Sequence, residues 1–173
     1  MEENQPKTGK FAFNYGLLLG IVSVIFGLML YSMDLHYDQG WGIRSVSLVL
    51  ALVAIFFGIS QFKKANEGYL TISQALKIGA GIALIAGIIG LIYFFLLSNV
   101  IEPGYMDKMY EIGKAQAMAD NPKLTEEQID QGIEMQKGFA WLTYPIILIM
   151  NIIIGLILGL IAGLIFKKQK PAY

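Results

Sequence analysis

The chain closes on an apolar run, residues 139–166, that holds no Asp, Glu, Lys, Arg or His and carries Gly155, Gly159 and Gly163 every fourth residue. In a bilayer such a run has to satisfy its backbone hydrogen bonds within itself, and a helix is the one single-segment structure that does so. Glycines four apart fall on nearly one helix face and leave a groove that another helix backbone can enter. Lys167, Lys168 and Lys170 follow at once. The remaining apolar runs then read as the packing partners of this helix.

Three earlier runs fit that role: 11–33, 43–62 and 75–97. Composition agrees, with 55% of the 173 residues hydrophobic and 15% charged, against about 45–50% and about 25% in soluble domains. The first run follows the basic residues Lys7 and Lys10, which raises a signal peptide as an alternative. It is longer than the usual apolar core of about 7–15 residues, and no small-x-small cleavage site follows, so it reads as a retained span behind a short polar tail. The third run repeats small residues at Ala75, Gly79, Ala83 and Gly87, with Gly81 and Gly90 thinning it further. Gly16 and Gly20 give the first run a shorter version of the same face. The prediction is an all-α, polytopic membrane protein. It is a single domain over residues 1–173, with four transmembrane helices and a short helical extracytoplasmic segment, 99–138, between the third and fourth.

That segment is the only sizeable polar stretch. Glu102-Pro103 interrupts the membrane helix or starts a new one. Met106, Met109, Tyr110, Gly113 and Ala117 then recur at helical spacing, Asn121-Pro122 marks a turn, and Thr125 with Gln128 forms a capping-box pattern. Two short helices are expected, the second running straight into the fourth span, where Pro145 is placed to kink it. Thr71 to Gln74 offers side-chain oxygens for the start of the third helix.

Orientation follows from the lysines. With four spans, Lys7, Lys10, Lys63, Lys64, Lys167, Lys168 and Lys170 share one side. The other side has Asp34, Asp38 and the 99–138 segment, in which eight carboxylates face four lysines. A basic excess marks the cytoplasmic face. Both termini are therefore expected in the cytoplasm of a multi-pass inner-membrane protein, with Trp41 and Trp141 anchoring at the outer interface. The two halves also echo each other. Gly16 and Gly27 match Gly79 and Gly90 in separation, and Phe62-Lys63-Lys64 matches Phe166-Lys167-Lys168. A parallel duplication and simple likeness of composition both account for this.

Taken together, several stretches resemble a known family. They are Tyr15-Gly16-Leu17-Leu18-Leu19-Gly20, the connection from Phe62-Lys63-Lys64 to Gly68, Ala75-Leu76-Lys77-Ile78-Gly79 with Gly81, and Gly155 to Lys168. The family is domain of unknown function 4199, uncharacterised bacterial integral membrane proteins. The resemblance spans nearly the whole chain and is most specific between Asn66 and Gly81. It implies a small membrane protein of several spans and brings no catalytic residues with it.

Few residues suggest chemistry. Asp34, His36 and Asp38 alternate on a short connection and have the right types for a divalent ion. They form a lone exposed cluster with nothing to complete a site, so no metal and no cofactor is expected. Asn151 is the one strongly polar side chain near the middle of the fourth span, with Ser23 and Ser60 milder cases elsewhere. Asn151 reads as a polar contact between helices, with the lining of a solute path as the alternative. No Asp, Glu, Arg or His lies centrally in any span, whereas proton-coupled transport, voltage sensing and acid–base or metal catalysis within the membrane need such groups. The chain has no cysteine, hence no thiolate ligand or thiol nucleophile. Aromatic residues cluster with apolar runs and line no basic groove, so nucleic acid is not an expected partner.

The function expected is therefore a non-enzymatic integral membrane protein with a packing or interaction role. The alternative is a small transporter or channel for a neutral or apolar solute. Besides membrane lipid, the expected partners are a second copy or another protein. Contact would be through the glycine faces or through the 99–138 segment, where Met106, Met109, Tyr110, Met118 and Met135 offer an adaptable apolar face.

Overall fold

A computed structural model of the chain describes residues 6–38 and 40–169. Helix dominates, and no strand occurs among the described residues. The helices are α1 (Thr8–Ser32), α2 (Trp41–Ala65), α3 (Ile72–Leu96), α4 (Tyr105–Asp120), α5 (Glu126–Gly138) and α6 (Thr143–Phe166). A π turn, Leu97–Ile101, prolongs α3, and a 3-10 turn, Ala140–Leu142, precedes α6. Four segments are long and apolar enough to cross a membrane: α1, α2, α3 with its π turn, and α6 with its 3-10 turn. A helix of 25 residues such as α1 is about 37 Å long at 1.5 Å per residue, which exceeds a hydrocarbon core of about 30 Å.

α1, α2 and α3 each begin two or three residues before their apolar runs, and α2 ends three residues beyond its run. Both expected caps are present. Thr71 Oγ1 accepts from Gln74 N at 3.2 Å and Thr71 N donates to Gln74 Oε1 at 2.9 Å, opening α3. Thr125 and Gln128 make the same reciprocal pair at 3.3 and 2.9 Å, opening α5. Two expectations at the start of the fourth span are corrected. The helix does not run on from α5, because Phe139 leaves helical geometry after Gly138 and the 3-10 turn intervenes. Pro145 is the third residue of α6, where its missing N–H would have had no partner within the helix, so nothing there forces a kink. The tail is shorter than expected, since α1 already begins at Thr8. Residues 1–5 and Lys170 lie outside the described residues.

The chain divides into two compact units, Met1–Gly90 with Ile147–Tyr173, and Leu91–Ile146. In the first, Ile55, Ile59, Phe62, Leu70, Ile78 and Ile82 are fully buried. Edge-on ring pairs knit its helices: Phe11 with Phe62 at 5.4 Å, Tyr15 with Phe57 at 5.9 Å, and Phe56 with Phe166 at 5.8 Å. Burial is uneven along the helices. The buried positions fall at Ala12 to Gly20 in α1, Ile55 to Phe62 in α2, Ala75 to Gly87 in α3 and Gly155 to Gly163 in α6. Large side chains such as Ile25, Val53, Ile157 and Ile165 point outward. Small residues at the helix contacts, with many large apolar side chains outside, is an arrangement suited to a bundle surrounded by hydrocarbon.

In the second unit α4 and α5 form an antiparallel hairpin. Phe94 makes edge-on contacts with Tyr105 and Tyr144, both at 6.1 Å. The π turn carries Ser98, which is buried and donates to the Phe94 carbonyl at 2.8 Å.

Candidate functional site

Three places concentrate what this chain offers: a seam between helices, a knot at one end of the bundle, and the α4–α5 hairpin. The seam joins α3 to α6. A β-carbon added to Gly79 would collide with the Gly155 carbonyl oxygen and lie 2.9 Å from the Gly159 Cα. One added to Gly155 would lie 2.5 Å from both the Ala83 Cβ and the Gly79 carbonyl oxygen. At Gly159 and Gly163 the obstacles are the Ala75 carbonyl oxygen and the Ala75 Cβ, each at 2.9 Å. The two backbones therefore touch along two turns. Gly87 faces Leu148 and Asn151 at 3.3 and 3.4 Å. Gly16 and Gly20 face α3, with Ile85 Cβ at 2.8 Å and Ile89 Cβ at 2.9 Å from the added carbon. Gly81 similarly meets Ala12, whereas Gly90 has open space. The small-residue faces of α1, α3 and α6 are thus occupied by neighbours within one chain.

Asn151 lies against Gly87, and its Nδ2 donates to the Ile147 carbonyl of its own helix at 2.9 Å. Its approach to α3 is a packing contact. Ser47 bonds back to the Ile43 carbonyl in the same way at 3.1 Å. Such back-bonding gives a polar side chain a hydrogen bond without a partner across the seam.

The knot closes the end of the bundle where α2 turns into α3. Asn66 N donates to the Phe62 carbonyl at 2.9 Å and Gly68 N to the Lys63 carbonyl at 2.8 Å. Glu67 and Gly68 both have positive φ, 55° and 82°, the left-handed conformation that lets a helix end reverse. Buried Asn66 braces the turn, with Nδ2 donating to the Tyr69 carbonyl at 2.9 Å. Leu70 is then driven into the core, and its backbone pairs with that of Lys168 in both directions, at 2.9 and 3.0 Å. The Lys168 ammonium stands over the Tyr69 ring, 5.7 Å from its centroid. The short α2–α3 connection is thereby stitched to the chain leaving α6. Sequence reading did not reach this. The Asn66-Glu67-Gly68 turn is a legible signal, but an isolated bridge about a hundred residues apart leaves no local pattern.

In the hairpin, Lys114 of α4 is shared by Glu126 and Asp130 of α5, at 2.8 and 2.6 Å. Those hydrogen bonds, Asp130 first and Glu126 second, hold the ammonium's pKa above its ordinary value. Lys137 pairs with Glu134 at 3.1 Å and lies 5.4 Å from the Tyr110 ring centroid, with its pKa likewise raised, chiefly by Glu134. An open groove of about 540 Å³ runs between the helices, with Asp107 and Glu111 on one wall and Asp130 and Glu134 on the other. Met118 and Met135 are exposed, while Met106, Met109 and Tyr110 are half-buried. Burial raises the pKa of the Tyr105 phenol, with smaller contributions from Tyr93 and Glu102.

Of the alternating Asp34, His36 and Asp38, the last two make other contacts. His36 lies between the rings of Tyr31 and Tyr37, at 4.9 and 4.2 Å, and Asp38 Oδ1 accepts from Gly40 N at 2.7 Å beside the start of α2. Among the described residues no three His, Asp or Glu side chains come close enough to share a metal ion.

Comparison with curated proteins and with solved structures gives no match. A family match covers residues 14–168, from the first span through the lysine of the knot, and the chain belongs to that family, described as protein of unknown function (DUF4199).

Proposed function

We propose that this protein is a non-catalytic, multi-pass component of a bacterial cytoplasmic membrane. The bundle is a packed scaffold, and the α4–α5 hairpin is the part offered to a protein partner. The observation that carries this reading is the α3–α6 seam. Its backbones meet at Gly79 and Gly155, which leaves no width for a hydrated path between these two helices. Asn151, the group best placed to line such a path, bonds to its own helix. The Asp, Glu, Lys, Arg and His residues described sit near the ends of the spans, in the connections or in the hairpin. The lysines before α1, at the end of α2 and after α6 support a reading in which both termini face the cytoplasm and the hairpin faces the other side, since a basic excess marks the cytoplasmic face.

The test is reconstitution of the purified protein in proteoliposomes, followed by osmotic swelling in glycerol, urea and small sugars. Swelling rates equal to those of protein-free vesicles are expected. A protein-dependent increase of tenfold or more overturns the scaffold reading in favour of a channel or carrier for neutral solutes. The absence of cysteine makes orientation testable in the same preparation. A non-permeant maleimide added to intact cells should label Ala119→Cys in the hairpin and leave Gln169→Cys unlabelled.

A further inference from the structure

We propose that the knotted end of the bundle is a binding surface for anionic phospholipid headgroups, with the lipid phosphate seated among Lys63, Lys64, Lys167 and Lys168. The proposal rests on the membrane placement of the four long helices. It holds whichever leaflet that end occupies.

Charge is the first observation. Phe11 packs on Phe62, and Leu70 pairs with Lys168, so the start of α1, the end of α2 and the exit of α6 converge. The residues that converge with them carry Lys7, Lys10, Lys63, Lys64, Lys167 and Lys168, against Glu67 as the carboxylate of the α2–α3 turn. Six ammonium groups against one carboxylate make this end of the bundle electropositive, and such a surface attracts anions.

Order is the second observation. Flexible lysines scattered on a surface attract anions without holding one, but here the backbone is fixed. The two-way Leu70–Lys168 bridge and the Lys168–Tyr69 contact position the α6 exit. Asn66 and Gly68 fix the α2 exit through bonds to the Tyr69 and Lys63 carbonyls and the Phe62 carbonyl. The burial that is uneven elsewhere is greatest at this end, where Phe62, Leu70, Ala75 and Ile78 are fully enclosed.

Location is the third observation, and it selects a lipid over a soluble anion. Lys63 and Lys167 directly follow Phe62 and Phe166, the last aromatic residues of two spans. Exposed Leu164 and Ile165 precede the second of these. An anion at this height has hydrocarbon immediately below it, so a phosphate that carries acyl chains gains apolar contact there, and a free phosphate gains none.

The test is native mass spectrometry of the full-length protein released from mild detergent, titrated separately with phosphatidylglycerol, cardiolipin, phosphatidylcholine and inorganic phosphate. Tighter first binding of phosphatidylglycerol and cardiolipin than of phosphatidylcholine is expected. A lysine near a charged lipid surface contributes about fivefold in affinity. Lys63→Gln with Lys64→Gln, or Lys167→Gln with Lys168→Gln, should therefore weaken anionic lipid about 25-fold and leave phosphatidylcholine unchanged. The corresponding Lys→Arg pairs should retain it. Equal binding of phosphatidylcholine, no loss in the Gln pairs, or occupancy by inorganic phosphate alone as strong as by the lipids overturns the proposal. Circular dichroism of each variant separates loss of lipid from loss of fold. A protein that stays helical and solubilised in phosphatidylcholine without lipid preference defeats this proposal and leaves the membrane scaffold standing.

Discussion

Replacing Gly155 by alanine adds a single methyl group at the tightest point of the α3–α6 seam. In soluble helices that change is favourable by up to about 1 kcal/mol, because glycine is the poorer helix former. Here the new carbon would lie 2.5 Å from the Ala83 Cβ and from the Gly79 carbonyl oxygen, and 3.1 Å from the Gly79 carbonyl carbon. None of these atoms is the end of a flexible side chain that can turn away. Non-bonded heavy atoms settle at about 3.5–4.0 Å, so α3 and α6 must separate by roughly 1 Å. A gap of that size forfeits about a quarter to a half of each contact along the seam. Overpacking of this kind costs about 2–3 kcal/mol, and the gain in helix propensity offsets up to about 1. The net expectation is a loss of about 1–2 kcal/mol.

The assay is equilibrium unfolding in mixed micelles followed by circular dichroism, with Gly90→Ala as control. Gly90 has no heavy atom within 4 Å of an added carbon, so its alanine should be neutral or slightly stabilising. Pairing Gly155→Ala with Ala83→Gly removes one of the two nearest obstacles. The double variant should therefore be more stable than the sum of the single effects by about 1 kcal/mol. Equal effects at Gly155 and Gly90, or strict additivity in the cycle, would show that the seam is not seated on these residues.

Other perturbations separate the remaining elements. Thr125→Ala removes the acceptor for Gln128 N and should reduce protection of the α5 amides in hydrogen exchange by about 1 kcal/mol. Equal protection would mean that the cap does not hold the helix start. Asn151→Ala should cost no more than about 0.6 kcal/mol in the micelle assay, because the amide bonds to the Ile147 carbonyl of its own helix. A larger loss would assign it a contact across the bundle. Lys114 has a raised pKa through Asp130 and Glu126. Its contribution to the hairpin is therefore fully present below the unfolded value of about 10.5 and disappears as pH rises through the higher folded value. Exchange protection of α5 should be flat from neutral pH to about 10 and fall beyond it, and Lys114→Gln should abolish that fall. An unchanged alkaline profile in the variant would remove Lys114 as its cause.

How much of this was legible in the sequence depends on the range of the interaction concerned. The spans were legible because length and apolarity are properties of one segment. So were the caps at Thr71 and Thr125, where donor and acceptor lie three residues apart. The limits of the spans were read less well, since hydropathy marks where the chain enters hydrocarbon and says little about where hydrogen bonding stops. At Phe139, the apolar run that looked continuous with α6 begins outside helical geometry. Gly138 is followed by Phe139, Ala140, Trp141 and Leu142, which give hydropathy no reason to register that break.

Pairing was harder to read for a physical reason. In water, the apolar stripe of a helix announces which face is buried, but in lipid both faces are apolar and the signal is the loss of side-chain volume. Glycine periodicity therefore marks a face without naming its partner. Gly79 meets Gly155 and Gly159, Gly16 meets Ile82 and Ile85, and Gly90, in the same helix as Gly79 and equally small, meets nothing. The echo between Gly16…Gly27 and Gly79…Gly90 likewise joins positions with unlike surroundings: Gly16 meets the Ile85 side chain and the Ile82 carbonyl oxygen, whereas Gly79 meets backbone atoms of two glycines. The same limit hid the link between Leu70 and Lys168, which depends on α2, α3 and α6 ending at one place. Only after the helices are assembled do the lysines at the helix ends, read in the sequence as an orientation signal, come to share one end of the bundle, ordered by the Leu70–Lys168 bridge.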